Sequence, residues 1–267
     1  MATWRRRRTH LVREAGLVPG VRLHGEALTR PLCLAPKYCL ASDQDLMRTI
    51  LYDLMQEIGK GSDLLDPVYE FGAYRVPGQD TRGYVRDCFP GKSFVASDAR
   101  PGPGVDQVLD LHSIALGDAT VGTAVLLDTV EHVERPWEAL AEIARVLKPG
   151  GVVVMTSVMF FPIHFYPDDY WRFTASGFRA LLKPFDDMIL ASVGLKNLPH
   201  TVLGIGMKAP VSSDLKARLE KTVADWRKSG SRSWKEVALN SLPPFLSAPA
   251  YEWFASWQAR SAGPKDR

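Results

Sequence analysis

Short, almost wholly apolar runs alternate with segments of helical period along the middle of this chain. The apolar runs fall at Val68–Phe71, Ser93–Ser97, Val121–Leu127 and Gly151–Ser157, each the length of a strand. Among them, Gln79–Phe89, Pro136–Leu147 and Thr174–Leu182 read as helices. Such alternation predicts a parallel sheet with helices on both faces. Two later runs, Met188–Val193 and Val202–Met207, are separated by a short Gly/Asn/Pro segment. They predict a hairpin, which places an antiparallel strand at or near the sheet edge.

The flanks follow other patterns. Residues 1–41 are rich in Arg, Gly and Pro and show little period. A helix is predicted over Ser42–Ile58, where Leu46, Ile50, Leu54 and Ile58 form a stripe widened by Leu51 and Met55. Ser42 or Asp43 caps its start, and Gly59 and Gly61 end it. Ser212–Lys228 reads as an amphipathic helix, and Tyr251–Ala259, with Trp253 and Trp257, as an aromatic segment packing on the core. The expected organisation is an N-terminal extension with a lid helix (1–60), a core (61–210) and a C-terminal helical extension (211–267). Within the core, only the eight residues Ala99–Asp106 separate the second strand from the next. A parallel crossover with a helix takes about a dozen residues or more. Arg100–Gly104 is therefore a tight loop, and the third strand is short or absent.

Composition adds limits. At 267 residues, 46% hydrophobic and 24% charged, the chain has ample material for a core. The formal charge of +3 gathers at Arg5–Arg8, a solvated tail rather than a nucleic-acid site. No apolar region follows those arginines as in a secretory signal, and no stretch approaches the ~18 apolar residues of a membrane span. A cytoplasmic protein without membrane or nucleic-acid partners is expected, as monomer or homodimer. Cys33, Cys39 and Cys88 form no CxxC pair and lie at no metal-ligand spacing, so free thiols and no metal are expected.

Candidate chemistry begins where the first strand ends, in Glu70-Phe71-Gly72-Ala73-Tyr74. A glycine there permits a tight turn and close approach of a ligand to the backbone. The second strand ends in Ser97-Asp98, and an acid at that position can accept the hydroxyls of a ribose. A dinucleotide site asks for G-x-G-x-x-G so that the second glycine hugs a pyrophosphate. Tyr74 stands at that second position, which favours an adenosyl ligand without phosphate over NAD.

Further on, Leu127-Asp128-Thr129-Val130-Glu131-His132-Val133, then Trp137-Glu138-Ala139-Leu140, then Arg145-Val146-Leu147-Lys148-Pro149-Gly150-Gly151 appear in order. This series resembles the class I S-adenosylmethionine (SAM)-dependent methyltransferases, in particular the methyltransferase type 11-like group with an "EHV…RVLKPGG" signature, over about residues 66–208. The resemblance implies a Rossmann-like α/β fold: a mostly parallel twisted sheet with helices on both faces and a C-terminal antiparallel strand. It implies SAM as cofactor and S-adenosylhomocysteine as product. Glu70, Gly72, Ala73 and Tyr74 would line the methionine end, Asp98 the ribose, and Asp110 with Leu111 the adenine. Leu127 and Asp128 would touch the sulfonium side, with His132 at the edge of the reaction chamber. Pro149-Gly150-Gly151 is expected to stop the helix after Lys148 and turn the chain into the fifth strand.

Methyl transfer from a sulfonium is an in-line displacement that needs alignment, exclusion of water and a proton acceptor where the nucleophile carries a proton. It requires no metal. The richest polar and aromatic cluster, Phe160 to Thr174, follows the fifth strand, where open α/β sheets place their ligands. His132, His164 and Asp168 are the candidate proton acceptors, and Tyr166 and Tyr170 shape the acceptor pocket. Arg172 either clamps an anionic group or, with Asp169 and Trp171, locks the loop. His24, His112 and His200 lie outside any such pattern. Tyr38 to Asp53 are expected to cover the crevice, with Arg48 and Tyr52 reaching the ligand. The leading expectation is methylation of an oxygen on a small saccharide-like or secondary-metabolite acceptor. The alternatives are N-methylation of a small molecule, NAD(P)-dependent oxidoreduction, and an inactive methyltransferase-like binding protein. No N/D-P-P-Y/F tetrad of the kind used on nucleic-acid bases follows the fourth strand.

Overall fold

The structure is a computed structural model that describes residues 41–75, 84–161, 163–164, 167–195 and 197–240. Seven strands form one sheet: β1 (Val68–Phe71), β2 (Phe94–Asp98), β3 (Gln107–Val108), β4 (Val121–Leu126), β5 (Leu147–Val158), β6 (Asp187–Leu195) and β7 (Leu198–Met207). Their order is β3-β2-β1-β4-β5-β7-β6. The pairs from β3 through β5 are parallel, and β7 runs antiparallel to both β5 and β6. The expected architecture holds, including the hairpin and a third strand of two residues.

Helices α1 (Ala41–Gly59), α2 (Pro136–Val146), α3 (Ala175–Leu181) and α4 (Ser213–Asn240) cover the two faces. Strand side chains alternate between them, as the pleat requires. Val153 and Met155 of β5 join Leu140 and Ile143 of α2 and Phe178 of α3, whereas Val152 and Val154 join Leu54 and Ile58 of α1 and Leu215 and Leu219 of α4. On the α3 face of β7, Gly204 and Gly206 leave room for Phe178, Leu182 and Phe185, whose atoms lie within 3.0 Å of where a Cβ would stand. Trp226 of α4 is buried and donates its indole N–H to the Ile50 carbonyl of α1 at 3.0 Å. Burial of these apolar side chains is the main stabilising contribution.

Some boundaries move from their expected places. Of the helix expected over Gln79–Phe89, the described residues hold only a 3-10 turn at Val85–Cys88. The helix ahead of β5 ends at Val146, so Pro149-Gly150-Gly151 lies inside β5 and does not terminate a helix. The glycines serve contact: Gly150 is left-handed (φ +80°), and a Cβ on Gly151 would stand 2.7 Å from the Gly122 carbonyl oxygen. The amphipathic tail helix runs to Asn240, beyond the expected Lys228. Arg5–Arg8, Cys33, Cys39, Tyr38, Tyr166 and the 251–259 segment lie outside the described residues. No helix among the described residues is long and apolar enough to cross a membrane.

Gly59 seats α1 on the turn that precedes β2. A Cβ there would stand 1.9 Å from the Cys88 carbonyl oxygen, a backbone atom with little freedom to yield. Gly59→Ala is expected to destabilise the protein by about 1–3 kcal/mol through overpacking, measured as a lower urea midpoint at unchanged slope.

Candidate functional site

The carboxyl ends of β1, β2 and β4 open into a cleft of about 660 Å³. Glu70, Gly72, Ala73, Tyr74, Asp98, Asp110, Leu111, Leu127, Asp128, His132 and His164 all line it, as do Leu51 and Tyr52 of α1. The crevice lies where the topology of an open α/β sheet puts it.

Gly72 follows β1 in a left-handed conformation (φ +88°), and its missing Cβ would stand 2.3 Å from Thr129 Oγ1. The Thr129 hydroxyl lies 3.1 Å from the Phe71 carbonyl and 3.0 Å from that of Leu127, either of which can accept its proton, so the ends of β1 and β4 are drawn together. The next residue back, Asp128, is itself left-handed (φ +46°). Thr156 Oγ1 of β5 accepts from the Asp128 amide at 3.0 Å and donates to Asp128 Oδ1 at 2.9 Å, which offsets the backbone cost.

The described amides of the loop after β1, from Gly72 to Arg75, are all spent internally. Gly72 and Ala73 donate to the Ser97 carbonyl, Tyr74 to Asp98 Oδ2 and Arg75 to the Pro103 carbonyl. A pyrophosphate-binding turn presents such amides to its ligand. This loop does not.

Asp98 is buried at the end of β2. Its Oδ1 accepts from the Arg100 amide at 3.0 Å and from Arg100 Nε at 3.2 Å, and the Arg100 guanidinium stacks on the Tyr74 ring at 4.3 Å. A grip by both Asp98 oxygens on two hydroxyls therefore requires the Arg100 side chain to release Oδ1. Glu70, half-buried near the end of β1, has its carboxyl pushed up to about 7 by desolvation, with Arg75 and Arg86 opposing the rise and Asp106 adding to it. Asp110 lines the cleft, but its Oδ1 is held by the His112 amide (2.8 Å) and His112 Nδ1 (2.9 Å). His112 Nε2 in turn accepts from the Arg135 amide at 3.3 Å, tying the segment after β3 to the start of α2. The sequence assigned His112 no such role.

On the acceptor side, the segment after β5 docks on the loop after β4. The Tyr170 and Trp171 amides donate to the Glu131 carbonyl, and the Trp171 indole to that of Val133 at 2.9 Å. Asp169, whose side chain is 1% exposed, forms a two-pronged pair with Arg172 and accepts from the His164 amide at 2.8 Å. The Arg172 guanidinium holds the Asp169 carboxyl down to about 2. His132 Nδ1 meets the Asp168 carbonyl, and its ring stands edge-on to His164 with centroids 4.7 Å apart. Burial lowers the His132 pKa, so its imidazole is neutral near pH 7.

Two expected roles change. Asp168 contributes its carbonyl oxygen, while its exposed carboxylate faces the Tyr170 hydroxyl at 3.3 Å, away from the cleft lining. Tyr170 is 47% exposed and lines no part of the cleft. Arg172 takes the second of its two expected roles: committed to Asp169 and to the Trp171 carbonyl, it locks the loop and does not line this cleft.

Residues 83–155 match a methyltransferase domain. The resemblance read from the sequence therefore holds. An uncharacterized methyltransferase of Mycobacterium ulcerans (strain Agy99) is 33% identical over 101 residues, which cover 36% of this chain and 39% of the relative. A second, from Mycobacterium bovis (strain BCG / Pasteur 1173P2), is 34% identical over the same shares. The matched region thus spans about two fifths of the length of these curated relatives. Among solved structures, a SAM dependent methyltransferase from Archaeoglobus fulgidus is similar at 15% identity and a TM-score of 0.48, over 60% of this chain and 94% of that one.

Relative to an unfolded aspartate near 3.8, the depressed Asp169 carboxyl contributes about 2 kcal/mol of stability. That contribution is present at neutral pH and lost as pH falls from about 4 through 2. Asp169→Asn is expected to lower stability at pH 7 by a similar amount and to flatten this acid limb, measured by urea unfolding across pH.

Proposed function

We propose that this protein is a SAM-dependent methyltransferase that acts on a small-molecule acceptor, most simply at an oxygen. The observation that carries the reading is a cleft with a buried acid at the end of β2 beside which the described loop amides, Gly72 to Arg75, are all spent internally. Such a site suits a ribose and lacks the donors that a pyrophosphate needs. The cofactor's donor set fits: Asp98 for the ribose, Glu70 for the cationic methionine end, and apolar Leu111 and Leu127 for the remainder. When bound, the cofactor supplies an electrophilic methyl group on sulfur.

The chain's own residues do the rest. A volume near 660 Å³ falls within the range of small-molecule sites, about 300–1,000 Å³. With Nδ1–H donating to the Asp168 carbonyl, His132 turns Nε2 into the proton acceptor. Asp169 fixes His164 beside it, and Phe161 packs edge-on against His164 at 5.1 Å, screening that wall from water. In this reading an acceptor hydroxyl gives its proton to an imidazole as its oxygen meets the methyl carbon.

Calorimetric titration tests the cofactor. Micromolar binding of SAM and S-adenosylhomocysteine, without binding of NAD, is expected, with a loss of about 10- to 100-fold in Asp98→Ala from the missing charge-assisted hydrogen bonds. Binding of NAD alone would overturn the reading. Once an acceptor is identified, His132→Ala is expected to lower kcat by about 10²–10⁴ with little change in cofactor affinity.

A further inference from the structure

Glu131 is the anomaly beside this site. It is fully buried, and neither carboxylate oxygen has a hydrogen-bond partner among the described residues. The Ser157 hydroxyl lies close enough to ease the carboxyl's burial but does not stand in hydrogen-bond geometry with it. A buried carboxyl in this state is costly unless it is neutralised by a proton or balanced by a cation. The cause is its surroundings: burial and the Asp128 carboxylate both disfavour the ionised form.

Two imidazoles converge on the same spot. One ligand atom each from Glu131, His132 and His164 lies within 4.8 Å of the other two. Ligands on one zinc-type ion stand about 2.0–2.2 Å from it and hence roughly 3.5 Å from each other, so side-chain rotation of about 1 Å brings this set together. The outer contacts have the form that metal-ligating histidines use. His132 Nδ1 meets the Asp168 carbonyl, and His164 Nδ1 lies 3.3 Å from Asp169 Oδ2. Contacts of this kind to a backbone carbonyl and a carboxylate fix the tautomer and aim the other ring nitrogen at an ion.

We propose that Glu131, His132 and His164 form a site for one divalent transition-metal ion of the zinc class at the acceptor wall of the cleft. Two imidazoles and one carboxylate are a nitrogen and oxygen set suited to zinc, with a coordination position left open towards the cleft. The cation meets the buried carboxylate directly, whereas the Arg172 guanidinium, committed to Asp169, acts on it only through space. An ion here makes His132 a ligand in place of a free proton acceptor, and the open position would receive an acceptor oxygen. That last role rests on the proposed methyl transfer, whereas the binding of metal does not. Cysteine and histidine spacing along the chain implies no metal, so only folding brings this set together.

The test uses full-length, tag-free protein stripped with a chelator and then dialysed against micromolar Zn²⁺ or Co²⁺. One zinc per chain and the visible absorption of low-coordinate Co²⁺ are expected. Both should weaken at least tenfold in Glu131→Gln, His132→Ala and His164→Ala, with a thermal melt of each variant confirming that it folds. Glu131→Gln is the decisive variant, since it copies the shape of a neutral carboxyl and should fold. Absence of stoichiometric uptake by the wild type, or uptake undiminished in Glu131→Gln and His164→Ala, would overturn the proposal. SAM binding is measured on the same stripped and loaded samples. Failure of zinc with SAM bound removes the ion alone, and zinc bound without SAM overturns methyl transfer and leaves the ion.

Discussion

The buried pair of Asp169 and Arg172 is the constraint on which the His132 and His164 wall of the cleft depends. Removing a carboxylate from water costs several kcal/mol unless a charge and hydrogen bonds replace the solvent. Here the guanidinium supplies two contacts and the His164 amide a third. Because the pair lies within one short segment, it holds Asp169 to Arg172, together with the His164 amide, in a single shape. That shape then docks through Tyr170 and Trp171 on the Glu131 carbonyl and through the Trp171 indole on that of Val133. Two histidines from separate loops meet only as a result of this docking.

A second set of contacts defines what the cofactor side can accept. Thr129 binds the ends of β1 and β4, and Thr156 holds Asp128 in a left-handed conformation. Gly72 is required there both for its own positive φ and for the space Thr129 occupies. The same turn commits its amides to Ser97, Asp98 and Pro103. These described amides are therefore not presented to an anion, and the buried acid at the end of β2 lines the cleft beside them.

Much of the "EHV…RVLKPGG" signature serves the scaffold. Arg145 binds Glu142 and Asp118 and donates to the Leu116 and Ile114 carbonyls, so it fastens the segment before β4 to the end of α2. Lys148 donates to the Asp66 carbonyl at 2.6 Å, and Gly151 allows β5 to approach Gly122. Of that series His132 and Val133 line the cleft, and Glu131 is buried beside His132.

The sequence by itself determined the order of strands and helices, the hairpin, the minimal third strand and the positions of Gly72, Asp98 and His132, because each rests on local period or on a residue type at a strand end. The tertiary structure alone decided which polar groups are free to act. The sequence leaves Arg172 open between a clamp and a loop lock and offers Tyr170 and the Asp168 carboxylate beside His164, since composition does not record which partner a charge finds. Folding spends Arg172 on Asp169, turns Asp168 outward and occupies one oxygen of Asp98 with Arg100. It also buries Glu131 against two imidazoles. Such pairings arise between segments brought together by the sheet, and burial then fixes them, because a polar group withdrawn from water must be matched by whatever the fold places beside it.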